Sequence, residues 1–221
     1  MTKLLFLSDT HTQHRQLQNL PEADIVVFGG DIEGRNFRRS NEEAEHNVLD
    51  FVDWFCGLNY RHKIFIAGNH DLYFADKTVG EVVQLLPENV HYLCDSGVEI
   101  CGIKFWGSPV SPVFHNYWAF TETRGKEIAR HWALIPKDTD VLITHCPPFG
   151  ILDLTENGEH IGCVDLLKTV QEIKSRYHLF GHVHESYGIE QQGETTFING
   201  SVLNKKYQLA NRSVMIEIGK I

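Results

Sequence analysis

Five short apolar segments of the sequence each end in Asp, Asn or His, and this pattern constrains the fold more than any other feature. The segments are Lys3–Ser8, Asp24–Phe28, Lys63–Ala67, Val141–Thr144 and Tyr177–Phe180. Their apolar residues lack helical spacing, which predicts buried β-strands. The polar side chains that follow them are Asp9, His11, Asp31, Asn69, His70, His145, His182 and His184. Because ligands bind beyond the carboxyl ends of strands in open α/β sheets, we expect these side chains to converge.

Helical patterns alternate with these strands. Ser40 and Glu43 have the spacing of a capping box, and apolar residues follow them at helical intervals. Three further segments have a helical pattern, namely Thr78–Leu86, Thr121–Leu134 and Val164–Ile173. Strands are predicted around a turn at Gly102 and in the alternating tail, at Val98–Trp106, Tyr187–Gln191, Thr195–Ile198 and Ser213–Ile218. The pattern predicts an α/β fold with mixed sheets, and 221 residues without a repeat or linker predict one domain over residues 1–221.

Charge and composition exclude several classes of protein. The chain has 20 Lys and Arg against 29 Asp and Glu, a formal net charge of −9, which argues against an extended nucleic-acid surface. No apolar run reaches the roughly 18 residues of a membrane span. Asp9 stands where the apolar stretch of a signal peptide would continue, and the five cysteines form no CxxC pair. We therefore expect a cytoplasmic protein with reduced thiols and no membrane partner.

The residue types at the strand ends point to metal chemistry. Imidazoles combined with carboxylates suit borderline divalent ions such as Mn, Fe, Zn, Co or Ni. Setting His70 aside leaves seven candidate ligands, which are too many for one tetrahedral ion and fit two ions sharing a carboxylate. Two divalent ions carry a charge of about +4, and the carboxylates of Asp9 and Asp31 carry −2. The remaining charge of about +2 would stabilise a hydroxide and a phosphate anion.

These residues carry a family resemblance. Asp9-Thr-His11, Gly30-Asp31, Gly68-Asn-His-Asp71, Thr144-His145 and Gly181-His-Val-His184 resemble the five ordered motifs of the calcineurin-like metallophosphoesterase superfamily, and the resemblance spans residues 4 to 200. Gly102–Pro109, Thr144–Pro148 and Phe197–Ser201 are similar to the small MPPED-like (metallophosphoesterase-domain-containing) branch. The fold implied by the resemblance is a four-layer α/β/β/α sandwich of two mixed sheets flanked by helices, with a dinuclear metal site at the C-terminal strand ends.

The resemblance also implies roles for individual residues. The first ion would be held by Asp9, His11, Asp31 and His184, and the second by Asp31, Asn69, His145 and His182. His70 would protonate the leaving oxygen, and Asp71 would orient His70. Arg35, four residues after Asp31, would grip phosphate, although a solvated arginine in the polar run 33–39 is an equal alternative.

The activity implied is that of a dinuclear metal-dependent phosphohydrolase with a metal-bridging hydroxide as nucleophile, and specifically that of a phosphodiesterase on small substrates such as cyclic nucleotides. The alternatives are a phosphomonoesterase or nucleotidase, a nuclease, a protein phosphatase and a non-catalytic scaffold on the same fold. The sequence leaves the roles of two sets of residues open. His160 could contact substrate, and the aromatic residues Tyr73, Phe74, Phe114, Tyr117 and Trp118 could line a nucleobase pocket or pack in the core.

Overall fold

Two β-sheets form the centre of the protein. The computed structural model describes residues 1–34 and 40–219. The first sheet has the order β13-β1-β2-β3-β4, with strands β1 Thr2–Leu7, β2 Ile25–Phe28, β3 His62–Phe65, β4 Val90–Tyr92 and β13 Val214–Ile218. The second has the order β11-β12-β10-β9-β6-β5, with strands β5 Ser96–Ile100, β6 Ile103–Ser108, β9 Val141–Thr144, β10 Tyr177–Phe180, β11 Gly188–Gln192 and β12 Thr195–Asn199. A third, two-stranded sheet pairs β7 Ser111–Pro112 with β8 Thr121–Glu122.

Both large sheets are mixed, as the sequence pattern predicts. In the first sheet β1, β2, β3 and β4 run parallel, and β13 pairs antiparallel with β1. In the second, β6, β9, β10 and β12 run parallel, with the antiparallel strands β5 and β11 at the edges. Parallel strands are covered on both faces, which explains why their residues read as continuous apolar runs.

The layers follow from the alternation of side chains along the strands. Inward residues such as Phe6 and Val27 meet Phe105 and Ile143 of the opposite sheet in one buried cluster. The outer face of the first sheet packs on helix α1 (Asn41–Gly57) and on the short helices α2 (Leu72–Ala75) and α3 (Val79–Val83). The outer face of the second packs on α4 (Lys126–Trp132) and α5 (Val164–Ile173). The four-layer α/β/β/α sandwich is confirmed.

Two predicted elements differ from the observed ones, and one observed strand has no predicted counterpart. The segment expected as one helix from Thr121 begins as strand β8, and its helix starts only after Gly125, whose φ is +87°. Helix α3 is shorter than Thr78–Leu86, although Thr78 and Glu81 form a capping box at its start. Strand β4 was not predicted, because three residues give too little periodicity to recognise.

The ends of the parallel strands meet at one edge, which is where the predicted site residues lie. Ser8, directly after β1, forms a parallel bridge with Ser201, which follows β12. Gly181, after β10, donates its N–H to the carbonyl of His145, which follows β9. The edge therefore joins both sheets. Within the described residues, no helix has the length and apolar character needed to cross a bilayer.

Candidate metal centre

Asp9, His11 and His184 form the first of two groups that could hold a metal ion. Their ligand atoms lie within 4.8 Å of one another, and all three residues are buried. Asp9 and His11 belong to the loop after β1, whereas His184 follows β10. The His184 Nε2 atom lies 3.5 Å from Asp9 Oδ1.

Asp31, His145 and His182 form the second group, and their ligand atoms also lie within 4.8 Å of one another. Asn69 lies between two of its members, since Asn69 Oδ1 is 2.9 Å from His145 Nε2 and 2.7 Å from His182 Nδ1. Seven sequence-predicted ligands are therefore brought together at the strand ends.

Asp31 lies between the two groups. Its Oδ2 atom is 3.3 Å from His145 Nε2 in the second group and 3.6 Å from His11 Nε2 in the first. Its other oxygen accepts the backbone N–H of His70 at 2.9 Å. This position is the one that a carboxylate shared between two ions requires.

Backbone carbonyls fix three of the imidazoles. The Nδ1 atoms of His11, His145 and His184 lie 2.8, 2.9 and 3.1 Å from the carbonyl oxygens of Glu33, Gly29 and Asn204. A carbonyl oxygen can only accept a hydrogen bond, so each Nδ1 carries a proton. Each Nε2 is then the atom that faces the cluster as a ligand, the arrangement common around protein-bound metals.

The electrostatics of the cluster favour added positive charge. Asp9 and Asp31 are both buried, and burial alone would raise their pKa values. The interaction of Asp9 with His184 lowers the pKa of Asp9 by more than burial raises it, and His145 and His70 do the same for Asp31. Both pKa values therefore fall below their usual range. Burial lowers the pKa of His145, but Asp31 and Asp9 raise it to about 9. Two buried carboxylates therefore draw a proton onto a buried imidazole, because their negative charges stabilise the imidazolium.

One of the polar atoms that lack a partner fits a divalent ion. Within the described residues, His11 Nε2 and Asn69 Nδ2 are buried without a hydrogen bond, which is costly in a site without ions. A divalent ion at each group would supply the charge that the carboxylates demand and a partner for His11 Nε2. Of the cysteines, Cys146 follows His145 directly, but its thiol is directed to the Val110 carbonyl at 3.5 Å. The donor set therefore consists of nitrogen and oxygen atoms.

The backbone of the site is strained. Asp9, His11, Thr12, Asp31 and His182 all have φ between +41° and +70°. Such values are uncommon outside glycine and cluster at functional sites. Two glycines permit the close packing of the carboxylates: a Cβ at Gly181 would overlap Asp9 Oδ2, and a Cβ at Gly68 would overlap Asp31 Oδ1.

His70 lies beside the cluster, with its Nε2 atom 4.0 Å from Asp31 Oδ2. Its imidazole packs edge-on against that of His11, with ring centroids 4.8 Å apart. Burial lowers the pKa of His70, and the charge of Asp31 opposes this fall.

Asp71 makes different contacts from those expected. The sequence predicts that it orients His70, but its two oxygens accept the backbone N–H groups of Asp31, Ile32, Glu33 and Gly68 at 2.7 to 3.0 Å. Burial and the charges of Asp31 and Glu33 raise the pKa of Asp71, and these N–H donors oppose the rise. Asp71 therefore holds together the two loops that carry Asp31 and Asn69, because its acceptor positions are taken by their backbone. Arg35 lies outside the described residues.

Two residues of the site were not predicted. The Ser201 hydroxyl donates to Asp9 Oδ2 at 2.8 Å, and Ser201 is fully buried. Ser201 belongs to the Phe197–Ser201 segment that resembles the MPPED-like branch, so this resemblance could have indicated a role for Ser201 in the site. Tyr207 packs against His11 and His184, with ring centroids 4.8 Å from each, and has a φ of +58°. No motif or residue pattern around Tyr207 indicates that its side chain contacts the site.

The other open residues divide between the site and the rest of the molecule. His160 bonds to Asp153 at 2.6 Å and packs on Phe149. Phe74 packs in the core against Phe65 and Tyr92. Phe114 and Trp118, in contrast, lie against site imidazoles.

Comparisons with known proteins agree with this geometry. The family model for calcineurin-like phosphoesterases matches residues 2–186. Metallophosphoesterase domain-containing protein 1 of Homo sapiens is 36% identical over 240 residues, which cover 98% of this chain and 71% of that protein. A UPF0046 protein of Caenorhabditis elegans is 37% identical over 230 residues, which cover 99% of this chain and 76% of that protein.

The fold is also found among solved structures. The phosphopantetheinyl hydrolase of Mycobacterium tuberculosis superposes with a TM-score of 0.57 and 14% identity, covering 93% of this chain and 90% of that one. Members of the matched family are metal-dependent phosphoester hydrolases, and this chain has two candidate metal-ligand groups at its strand ends. The chain belongs to the calcineurin-like phosphoesterase family.

Proposed function

We propose that the protein is a phosphodiesterase that hydrolyses small phosphodiesters such as cyclic nucleotides. The observation that carries the proposal is the pair of ligand groups, Asp9–His11–His184 and Asp31–His145–His182, with Asp31 between them and His70 at its side. An arrangement of this kind suits displacement at phosphorus.

The residues present have the chemistry to hold two divalent ions. Asp9, His11 and His184 would hold one, while Asn69, His145 and His182 would hold the other, and Asp31 would contribute to both. When bound, the pair of ions activates a water molecule as nucleophile and neutralises charge that develops on the phosphoryl oxygens. The Nδ1–H bonds to backbone carbonyls hold the ligand nitrogens of His11, His145 and His184 in place.

His70 is the proposed general acid. Its Nε2 atom lies 4.0 Å from Asp31, at the edge of the cluster, where it can meet the ester oxygen of a bound phosphoryl group. An anionic substrate brings negative charge beside the imidazole and raises its pKa toward neutrality, so the protonated form becomes available. Proton donation to the departing oxygen is needed most when that oxygen is a poor leaving group.

A substrate panel tests the proposal. Purified protein is assayed on 2′,3′- and 3′,5′-cyclic nucleotides, linear dinucleotides and nucleoside monophosphates, each with Mn, Fe, Zn, Co or Mg. We expect metal-dependent hydrolysis in which cyclic diesters have a higher kcat/KM than monoesters. A preference for monoesters would contradict the diester proposal, and no hydrolysis by protein that carries two ions per chain would favour a scaffold. Asp31→Asn serves as the inactive control.

A further inference from the structure

Two aromatic side chains lie beside the ligand groups without belonging to them. The centroid of the Trp118 ring lies 5.7 Å from that of the His70 imidazole and 6.0 Å from that of the His182 imidazole. The ring of Phe114 is 5.9 Å from His182, with an interplanar angle of 30°. The two rings are 6.0 Å apart and are called here the aromatic wall.

The segment that carries the aromatic wall is tied down at both ends. Strands β7 and β8 pair on either side of it, and Ser111 donates its N–H to the Phe120 carbonyl at 2.9 Å. Ala119 donates its N–H to the carbonyl of Asn69 at 2.9 Å, which joins the segment directly to a ligand residue. The wall is therefore held in register with the metal centre by backbone hydrogen bonds.

Arg124 fixes Phe114 from another direction. Its guanidinium carbon is 5.5 Å from the centre of the Phe114 ring, a cation–π distance. The same guanidinium donates to the carbonyls of Ile161 and Gly162 at 3.0 and 2.8 Å. The ring orientation is thus set before any ligand arrives, which reduces the entropy lost on binding.

The position of the wall relates it to one part of a substrate. Under the proposed function, His70 meets the departing ester oxygen, and Trp118 is the aromatic neighbour of His70. A group attached to that oxygen would therefore lie next to Trp118. Both rings of the wall are only partly buried, so aromatic surface is left for contact. Aromatic faces bind planar rings by stacking, with little regard to the ring substituents.

We propose that Phe114 and Trp118 form a subsite for a planar aromatic group, an aryl ring or a nucleobase, carried by the leaving part of the phosphoester. The inference rests on the proposed function, because it assigns the wall to the leaving-group side through His70. It makes the wall a determinant of specificity for aromatic over aliphatic esters.

Binding of three phosphonates to the manganese-loaded protein tests the subsite by calorimetry. Their C–P bond is not an ester, so binding is measured apart from turnover. Phenylphosphonate carries a planar ring, cyclohexylphosphonate an apolar ring that is not planar, and methylphosphonate no ring. We expect phenylphosphonate to bind about 3- to 10-fold more tightly than cyclohexylphosphonate, the effect of an aromatic pair beyond buried area.

Variants of the aromatic wall test whether its two rings cause the preference for phenylphosphonate. Trp118→Leu and Phe114→Leu should each reduce the phenyl-to-cyclohexyl ratio, with Trp118→Leu bringing it close to one, and should leave methylphosphonate binding unchanged. Trp118→Phe should restore most of the ratio. Phe149→Leu removes a ring that is 38% exposed and packs on His160, so all three affinities should match the wild type.

The subsite is overturned by a wild-type ratio of one, by failure of all three phosphonates to bind, or by a ratio that survives in both leucine variants. The hydrolysis panel distinguishes failure of the subsite from failure of the proposed function. Diester turnover without a preference for phenylphosphonate rejects the subsite alone. A preference for phenylphosphonate that the wall variants abolish, in protein that hydrolyses no ester, rejects the proposed function and retains the wall only as a binding site for a planar ring.

Discussion

At the scale of single residues, the reactivity of the site depends on which atom of each side chain faces the cluster. His11, His145 and His184 use Nδ1 to bond backbone carbonyls, whereas the Nδ1 atom of His182 faces Asn69. No pattern of residue types in the sequence distinguishes these two orientations, since both depend on hydrogen-bond partners from distant segments. The distinction decides which nitrogen is the ligand.

His70→Asn tests the proposed proton donor. Because Asn cannot donate a proton to the departing oxygen, the rate on a diester with an alkoxide leaving group should fall by about 10²–10⁴. Hydrolysis of a p-nitrophenyl diester should change far less, since that leaving group needs little protonation. Steady-state rates on both substrates and metal content provide the measurement. An equal loss on both substrates with metal retained would exclude His70 as the acid.

Ser201→Ala tests the support of Asp9. The hydroxyl that holds Asp9 Oδ2 is lost from a fully buried position, so metal affinity should fall by about 10–100-fold. Titration of the metal-free protein with manganese measures the loss. Ser175→Ala is the matched control, because Ser175 is also buried but its hydroxyl has no hydrogen bond within the described residues. Equal affinities of the two variants would show that Ser201 does not support the site.

At the scale of elements, the loops after β2 and β3 behave as one unit. Asp71, after β3, accepts N–H groups from Asp31, Ile32 and Glu33, which follow β2, and one from Gly68 in its own loop. The sequence pattern locates both loops, but it does not reveal that Asp71 accepts the backbone N–H groups that join them. The strand order puts the backbone of the β2 loop within reach of Asp71, and buried N–H groups require an acceptor.

Asp71→Asn tests this connection between loops. The amide can accept at one atom only, so two buried N–H groups should lose their acceptor, with a loss of stability of about 2–4 kcal/mol. Urea unfolding measures it. Asp138→Asn is the control, since the Asp138 side chain is 67% exposed beside Lys104 and its loss should cost under about 1 kcal/mol. A loss of similar size in both variants would contradict the role given to Asp71.

At the scale of the whole molecule, the burial that creates the core also creates an acid-sensitive group. His178 of β10 is fully buried, and burial lowers its pKa to about 3. Its Nε2 atom bonds the Thr144 hydroxyl at 2.8 Å, and that hydroxyl donates to the Cys146 carbonyl, so Nε2 carries the proton. The neutral imidazole is therefore part of the core between β9 and β10.

The pH dependence of stability follows from this shift. Between pH 6.5 and about 3 the unfolded chain binds a proton at His178 and the folded chain does not, so acid destabilises the fold. Lowering the pH from 7 to 5 should cost about 2 kcal/mol through this residue. Urea unfolding of chelator-treated wild type and His178→Gln at both pH values measures the difference. Parallel losses in the two proteins would contradict a buried neutral His178.

The strands and the ligand cluster could be predicted from the sequence because both depend on local pattern. The segments Val141–Thr144, Val164–Ile173 and Tyr177–Phe180 have the bounds predicted for them, since apolar runs and helical spacing are continuous there. The contacts of Asp71, Ser201 and Tyr207 join residues far apart in the chain. Such contacts arise from sheet order, which local pattern does not specify.

The central claim, that the strand-end residues hold a pair of divalent ions, is tested most directly by counting metal. The purified protein is stripped with a chelator, reconstituted with manganese, freed of excess ion and analysed for metal per chain. The account predicts about two ions per chain in the wild type and fewer in Asp31→Asn, because Asp31 lies between both groups. A wild-type value of zero, or one that Asp31→Asn leaves unchanged, would contradict it.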